Sequence, residues 1–266
     1  VYMAGLVFRI SCSSLYTSKK MIKEQTLSKL MEMNLDGMAK SFEERSLRPD
    51  HKDMSFEEFF GLLVDDEFIY RRNVRLRRFL QLAKLKFSSA CLEEIDYQPS
   101  RGLIKSKIIS LQNNEWLKQH QNILITGPTG VGKSHLACAF GQWACRHGYT
   151  TLYYRWPRLL GDILASKGEG HYLRHLQKLA KVKLLIIDDF GLNALSDTDR
   201  KDFLEIIEDR YTTGSTIITS QLPTKDWYTY IGEPTMADAI CDRLFPVSHK
   251  FEMRGGSLRK KPENIA

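Results

Sequence analysis

Residues 122–146, NILITGPTGVGKSHLACAFGQWACR, decide the fold of this chain. They begin with the apolar run NILIT, continue through the glycine-rich turn GPTGVGKS at 127–134, and end in a helical pattern of apolar residues. The turn fits G-x-x-x-x-G-K-[ST], in which backbone N–H groups and a helix N-terminus together bind phosphate. Because strand, turn and helix follow in the required order, the segment predicts a nucleotide-binding α/β domain.

The turn assigns roles to individual residues. Lys133 is expected to reach the β- and γ-phosphates of ATP, and the Ser134 hydroxyl to bind Mg²⁺. The other predicted cofactor contacts are Gly127, Pro128, Thr129, Gly130, Val131, Gly132 and His135. The alternative, a glycine-rich turn with an incidental lysine, leaves the flanking strand and helix unexplained.

A second motif, LLIIDDFG at 184–191, is an apolar run that ends in two aspartates. Asp188, at the end of a buried strand, is the predicted metal partner of Ser134. Asp189 stands where motor-type ATPases place a glutamate that activates water, and its side chain is one methylene shorter. Since loose placement of a reacting group can cost about a hundredfold in rate, slow turnover is predicted. The competing interpretation is that the two acids only cap a strand.

Short β-rich runs alternate with helical stretches in the rest of this region. Besides NILIT and LLIID, they are TTLYY at 150, TIITS at 216 and VSHKF at 247. This alternation predicts βαβ units and a five-stranded parallel sheet flanked by helices. Only 15 residues (266 minus 251) follow Phe251, so a full C-terminal helical lid domain is not expected.

The N-terminal part has a helical pattern throughout. One helix is predicted over 21–45, a second begins at Ser55 with Glu58 at capping-box spacing, and a third covers 70–86. The predicted domains are a disordered extension at 1–20, a helical domain at 21–90 for binding DNA or a partner, and an ATPase domain at 91–266.

Positive charge is concentrated in the third predicted helix. The chain has 39 basic and 32 acidic residues, a net charge of +7, and the segment YRRNVRLRRFLQLAKLK has no acid at all. Contacts with DNA phosphates are predicted for Arg71, Arg72, Arg75, Arg78 and Lys84, and in a second patch for Lys167 and Arg174. The alternative is a solvated helix face, or one paired with the acidic VDDEF just upstream. Without a base-reading signature, sequence-tolerant binding of double-stranded DNA is expected.

The composition also bears on compartment. The five cysteines form no C-x-x-C pair, which is typical of a reducing cytoplasm. No apolar stretch approaches the roughly 20 residues of a membrane span. Residues 1–20 lack the charge order of a signal peptide, so a cytoplasmic protein is predicted.

Polar residues outside the two motifs complete a hydrolytic site. Ser220 or Gln221, at the end of the run TIITSQ, is expected to orient the attacking water. Arg243, in DAICDRLF, and Arg254 and Arg259, near the end, are candidates for an arginine that a neighbouring subunit inserts to stabilise transition-state charge. The alternative for each is a surface salt bridge.

The order of these motifs resembles the IstB-like family, ATPase helper proteins of bacterial insertion sequences that are close to the DnaC helicase loaders within the AAA+ initiator clade. DDFGL, EDRY and TSQLP are the discriminating pieces, and the resemblance runs from about Met21 to Lys261. It implies a five-stranded AAA+ core with Walker A roles for Lys133 and Ser134 and Walker B roles for Asp188 and Asp189. It also implies sensor 1 at 220–221 and a sensor 2 arginine at Arg259. The arginine finger is expected at Arg243, with Arg210, in EDRY, as a second candidate.

The resemblance implies an ATP-dependent regulator that oligomerises as a ring or spiral on target DNA and assists a cognate transposase. ATP hydrolysis would then disassemble the complex. One alternative is a DnaC-like loader whose N-terminal helices bind a replicative helicase. Another is a small-molecule phosphotransferase, which does not explain the basic helix.

Overall fold

The computed structural model describes residues 21–47 and 54–258. The predicted disordered extension at 1–20 and the predicted sensor 2 residue Arg259 lie outside these ranges. The chain divides into two compact units between Arg75 and Leu76. The functional assignment of segments 21–90 and 91–266 stays a prediction. Among the described residues, no helix is long and apolar enough to cross a lipid bilayer.

Two helices replace the single helix predicted over 21–45. Residues 21–32 form α1 and Asp36–Arg45 form α2. Between them Asn34 adopts a left-handed backbone, with φ of 58°, which short polar residues tolerate better than most. Asp36 then places a negative charge in the first turn of α2, where it stabilises a new helix start.

The long helix α3, Phe56–Ala83, also differs from the prediction, which divided this stretch into two helices. Its start is as predicted: the Glu58 N–H donates to Ser55 Oγ at 3.2 Å, and the Ser55 N–H donates to Glu58 Oε2 at 2.9 Å. Residues 62–83 contain neither glycine nor proline, so nothing in the sequence ends the helix between them.

In the N-terminal unit, α2 packs closely against α3. A Cβ on Gly37 would lie 2.5 Å from Tyr70 Cβ, so only glycine allows this approach. Glu67 accepts the Met38 N–H at 2.8 Å and pairs with the Arg71 guanidinium at 2.6 Å. The acidic segment VDDEF therefore holds α2 and α3 together.

The second unit contains a parallel sheet whose five described strands stand in the order β2-β3-β4-β1-β5. The strands are β1 Asn122–Thr126, β2 Thr151–Arg155, β3 Leu184–Phe190, β4 Ser215–Ser220 and β5 Ser248–Glu252. All four neighbouring pairs are parallel. The predicted fold class and all five predicted strands are confirmed.

Helices cover both faces of the sheet. They are α4 Lys105–Ser110, α5 Glu115–Lys118, α6 Lys133–Arg146, α7 Trp156–Gly168, α8 Tyr172–Lys181, α9 Asp197–Arg210, α10 Trp227–Ile231 and α11 Pro234–Leu244. Short 3₁₀ turns occur at Leu92–Glu94, Pro99–Arg101, Leu111–Asn113 and Thr224–Asp226. One core cluster packs around Trp116 and Phe140 of α5 and α6, and the other around Trp156 and Phe203 of α7 and α9.

The carboxyl ends of the central strands meet at one edge of the sheet. Thr126, at the end of β1, is in register with Ser220, at the end of β4. The pairing of β3 with β4 shifts register between Ile187 and Phe190, and Asp189 within this bulge has φ of 63°. Polar side chains from three strands therefore converge beyond this edge, where open parallel sheets bind ligands.

Candidate nucleotide-binding site

The predicted phosphate loop connects β1 to α6. Gly127 has φ of 145°, and a Cβ there would lie 2.2 Å from the Met253 carbonyl oxygen, so the loop requires glycine at this position. Val131 is buried and anchors the loop, whereas Pro128 and Thr129 are exposed beside it. The N-terminus of α6 then opens directly onto a cavity lined by Gly130, Gly132, Lys133, Ser134, His135, Asp189 and Gln221, among others. This geometry suits an anionic phosphate chain.

Lys133 is 7% exposed, and its ammonium donates to the carbonyl oxygens of Gly127 and Pro128 at 2.7 and 2.8 Å. It therefore lies inside the curve of the loop, at the cavity that the sequence predicts for phosphate. His135 lies at the other side of this cavity, and burial, with the nearby Arg101 charge, lowers its pKa. A neutral His135 is expected at physiological pH.

Contacts that the sequence did not predict hold the loop in place. The Arg101 guanidinium donates to the Val131 carbonyl at 2.8 Å. The segment after β5 adds two backbone bonds, from the Met253 N–H to the Thr126 carbonyl at 2.7 Å and from the Leu258 N–H to the Gly130 carbonyl at 2.9 Å. These partners are distant in sequence and belong to no motif, so pattern reasoning had no signal for them.

Asp188 lies at the centre of the site and is fully buried. Ser134 Oγ donates to its Oδ1 at 2.8 Å, and the Thr219 hydroxyl donates to the same oxygen. The Tyr153 hydroxyl donates to Oδ2 at 2.6 Å, and burial together with this carboxylate raises the pKa of Tyr153. The carboxylate is thus oriented from three strand or helix ends.

Ser134 and Asp188 suit a magnesium ion chemically. Mg²⁺ prefers oxygen ligands and takes only one or two from the protein, with water and substrate phosphates completing its shell. A hydroxyl and a carboxylate joined at 2.8 Å provide such a pair beside the phosphate loop. The described residues contain no cluster of three or more His, Cys, Asp or Glu that would indicate a different metal.

Asp189 faces the same cavity but has different surroundings. Its side chain is 20% exposed, and its Oδ2 accepts from Arg155 Nε at 3.0 Å. Its backbone N–H donates to Thr219 Oγ1 at 3.1 Å, which fixes the left-handed turn of the chain. Arg155, at the end of β2, was not predicted, although a polar residue at the carboxyl end of a neighbouring strand was a usable signal.

The two candidates for orienting water separate clearly. Ser220 is fully buried, and its hydroxyl donates to the Phe190 carbonyl at 2.6 Å and accepts the Leu222 N–H at 3.0 Å. The full burial of Ser220 and its two bonds to backbone groups argue against the role predicted for its hydroxyl. Gln221 is exposed and lines the cavity, so it is the candidate that remains.

The two candidates for the arginine finger, Arg243 and Arg210, have different surroundings. Arg243, on α11, pairs with Glu208 and lines a different cavity from the phosphate loop of its own chain. Arg210 is 2% exposed, and its guanidinium donates to backbone carbonyls that include Leu179 and Val182 at 2.6 and 2.9 Å. Burial lowers the pKa of Arg210 to about 9. Arg210 is a structural residue, and its candidacy as a finger is wrong.

The residues predicted to contact DNA fall into two groups. Four are exposed on α3 or just after it, and we call them the basic face: Arg72, Arg75, Arg78 and Lys84. Arg174, on α8, is exposed as well. Arg71 is instead paired with Glu67, and Lys167 lies 2.6 Å from the buried carboxylate of Asp202. These two ion pairs argue against the DNA contacts predicted for Arg71 and Lys167.

The strand order, the phosphate loop and the acid at the end of β3 define a P-loop nucleotide-binding protein of the AAA+ type. The chain belongs to the family of IstB-like ATP binding proteins, whose family model matches residues 28–266. This membership confirms the predicted family and the predicted class of ATP-binding AAA+ ATPase.

Two relatives come from insertion sequences. The insertion sequence ATP-binding protein y4pL of Sinorhizobium fredii is 45% identical over 90% of this chain and 98% of its own length. The ATP-binding protein of insertion sequence IS1162 from Pseudomonas fluorescens is 48% identical over 77% of this chain and 88% of its own length.

Solved structures confirm the fold. DnaI superposes with a TM-score of 0.55 at 22% identity, over 66% of this chain and 93% of that one. The DnaC helicase loader superposes with a TM-score of 0.52 at 20% identity, over 62% of this chain and 97% of that one.

Proposed function

We propose that this protein is an ATP-dependent, DNA-binding regulator that assembles with copies of itself on target DNA and assists an insertion-sequence transposase. The observation that carries the proposal is the bond between Ser134 and Asp188 at the phosphate loop, in a chain whose relatives come from insertion sequences. Mg²⁺ joins ATP at this pair, and hydrolysis dismantles the assembly.

The position of Arg243 supports an assembly with shared sites. Its side chain lines a cavity with Gln119 and Tyr211 and not the cavity of the phosphate loop. If Arg243 stabilises the γ-phosphate in the transition state, it must therefore act on the site of a neighbouring subunit. In that arrangement ATP lies between subunits, and Arg243 of one copy completes the site of the next.

The basic face supports contact with the DNA backbone. Its four cations are exposed, and the helix segment between Tyr70 and Ala83 contains no acidic residue. Lys and Arg on one helix neutralise phosphates without reading base edges. We therefore expect sequence-tolerant binding of duplex DNA that weakens steeply as salt is raised.

The geometry of the hydrolytic step supports slow turnover. Asp189 is the carboxylate nearest in sequence to the metal ligand, and it lines the cavity with Gln221. It would accept a proton from the attacking water, while Gln221 would orient that water. Because Arg155 already pairs with Asp189, the carboxylate must leave this partner or share it before it can act as a base.

A helicase loader is the alternative that the sequence left open. Its support here is a shared fold at 20% identity, whereas relatives at 45% and 48% identity come from insertion sequences. Pull-down with the transposase of the same insertion sequence, compared with a hexameric replicative helicase, separates the two. Capture of the helicase alone would replace the proposed function.

Imaging of the protein with duplex DNA and either ATP or ADP tests the assembly. We expect an oligomer around DNA with ATP and its absence with ADP, and a monomer in both states would overturn the proposal.

Mixing Arg243→Ala with Asp189→Asn chains tests the shared site. Where an Arg243→Ala chain supplies the phosphate loop and Asp189, and an Asp189→Asn chain supplies Arg243, the shared site is intact, so ATPase activity should return. In a mixture of Lys133→Ala and Asp189→Asn chains every phosphate-loop site carries one of the two substitutions, so this mixture should stay inactive.

A further inference from the structure

The segment that follows α3 is built into the nucleotide-binding unit. Lys84 adopts a left-handed backbone, with φ of 51°, and turns the chain away from the helix axis. Leu85 then packs onto α6, where a Cβ on Gly141 would lie 2.9 Å from its Cδ2. The Cys138 thiol of α6 lies beside the Lys86 and Phe87 backbones, and burial raises its pKa to about 11. The backbone of this segment is thus fixed on the helix that carries the phosphate loop.

The side chains of this segment point into the nucleotide cavity. Lys86 and Phe87 line it together with Lys133. The Phe87 ring lies 5.6 Å from the His135 ring, and Lys86 Nζ lies 4.0 Å from Asp188 Oδ2. The Lys86 side chain is 37% exposed, so its ammonium can change position while its backbone stays fixed.

A metal ion and this ammonium compete for the same carboxylate. Asp188 Oδ1 already accepts from Ser134 and the Thr219 hydroxyl, and Oδ2 accepts from Tyr153. When Mg²⁺ binds at Asp188, a second cation 4.0 Å from Oδ2 is repelled, and in a partly buried site this repulsion is strong. The nearest strong acceptors for the displaced ammonium are the phosphates of the nucleotide, since a flexible lysine binds phosphate as a point charge.

We propose that Lys86 is a second cationic ligand of the nucleotide phosphates, released from Asp188 when Mg²⁺ binds there. The inference rests on the proposed binding of Mg²⁺ and ATP at this site. It makes Lys86, three residues after the end of α3, part of the phosphate site, so that Mg²⁺ and ATP change the contacts of the segment that follows the helix.

Equilibrium titration of ATP without DNA, in Mg²⁺ and in EDTA, tests this exchange. In Mg²⁺, Lys86→Gln should bind ATP about tenfold more weakly, because the substitution removes a charge-assisted bond to phosphate. In EDTA, where the ammonium stays at Asp188, affinity should fall less than about threefold. Lys118→Gln is the control, since it removes an exposed charge outside the nucleotide cavity and should change ATP affinity less than about twofold in either buffer. Lys86→Arg, which keeps the charge, should restore most of the affinity in Mg²⁺.

The possible results are distinct. Unchanged affinity of Lys86→Gln in Mg²⁺ would show that Lys86 does not bind the nucleotide. An equal decrease in the ATP affinity of Lys86→Gln in Mg²⁺ and in EDTA would show that Lys86 binds phosphate with or without the metal. That result would overturn the proposed release of Lys86 from Asp188. Failure of the parent protein to bind ATP at all would instead refute the proposed function. Thermal unfolding of each variant separates these results from loss of the fold.

Discussion

The nucleotide site and the basic face of α3, the proposed DNA-binding surface, have opposite architectures. At the site, Asp188 is fully buried and receives hydrogen bonds from Ser134, Tyr153 and Thr219, residues that lie far apart in the sequence. The basic face comes from one helix and the turn after it, and its cations are exposed. Substituting one group of a buried hydrogen-bond network weakens the contacts of the others, so its effect on binding should be large. Exposed charges contribute separately, so substituting one of them should lower binding affinity by a smaller, additive amount.

Lys133→Ala should have the largest effect. It removes a buried ammonium that converges on the phosphates with the loop N–H groups, so ATP affinity should fall by about a hundredfold or more. Nucleotide-dependent assembly on DNA should disappear with it. Calorimetric titration of ATP measures the change, and Lys118→Ala, which removes an exposed lysine paired with Glu115, serves as the control. An unchanged oligomer on DNA would break the link between ATP and assembly.

Asp189→Asn should separate binding from turnover within the same site. The amide keeps the size of the side chain but is not a base, so ATP turnover should fall about a hundredfold. ATP and DNA should still bind, because Asp188 keeps its hydrogen bonds. Single-turnover hydrolysis measures the rate, and Glu169→Gln, an exposed acid after α7, is the control. Hydrolysis at the parent rate would make Asp189 a structural residue only.

Single substitutions on the basic face should have moderate and additive effects. Arg72→Gln or Arg78→Gln should weaken DNA binding severalfold and lower the slope of log affinity against log salt by about 0.9 for each phosphate that the variant no longer neutralises. Arg71→Gln is the matched control, because Arg71 pairs with Glu67 and its removal should leave the salt slope unchanged. The face does not bind DNA if the slope stays constant in all three variants.

Lys167→Gln should have the smallest effect on DNA affinity, less than about twofold, because the ammonium is committed to Asp202. Its effect should appear in stability. Asp202 is 4% exposed and would keep only the Tyr172 hydroxyl at 2.9 Å, so unfolding free energy should fall by about 1–3 kcal/mol. Chemical denaturation measures this decrease. If Lys167→Gln clearly lowers DNA affinity without changing the free energy of unfolding, Lys167 contacts DNA as the sequence predicted.

The fold could be predicted because its signals are local. Each of the five strands is a short β-rich run between helical stretches, and the glycine pattern of the phosphate loop fixes where β1 ends and α6 begins. The helix boundaries near the N-terminus were harder. Asn34 breaks one predicted helix through a left-handed backbone, and no residue between Phe68 and Arg71 interrupts α3. The break between α1 and α2 depends on the backbone conformation of one residue. The continuity of α3 depends on the absence of glycine and proline from residues 62–83.

The site was predicted only where one segment carries the information. Ser134 and Asp188 each sit in a motif, and the structure brings them within 2.8 Å of one another. Tyr153 and Lys86 also reach Asp188, but their positions follow from how strands and segments pack in three dimensions. Arg210 shows the opposite error: a charged residue in a recognisable motif is not thereby functional, because this one bonds buried carbonyls.

The left-handed backbone of Asp189 explains the choice between aspartate and glutamate in terms of the main chain. Aspartate and asparagine tolerate a φ of 63° because a short polar side chain can bond locally. A longer side chain lacks this compensation and meets the full cost of the left-handed backbone, about 1–2 kcal/mol. Replacing Asp189 with glutamate would therefore strain the bulge instead of restoring a faster base. A substitution to glutamate would thus need either a compensating contact at this bulge or a straighter β3, so the backbone restrains which acids a descendant of this protein can place after Asp188.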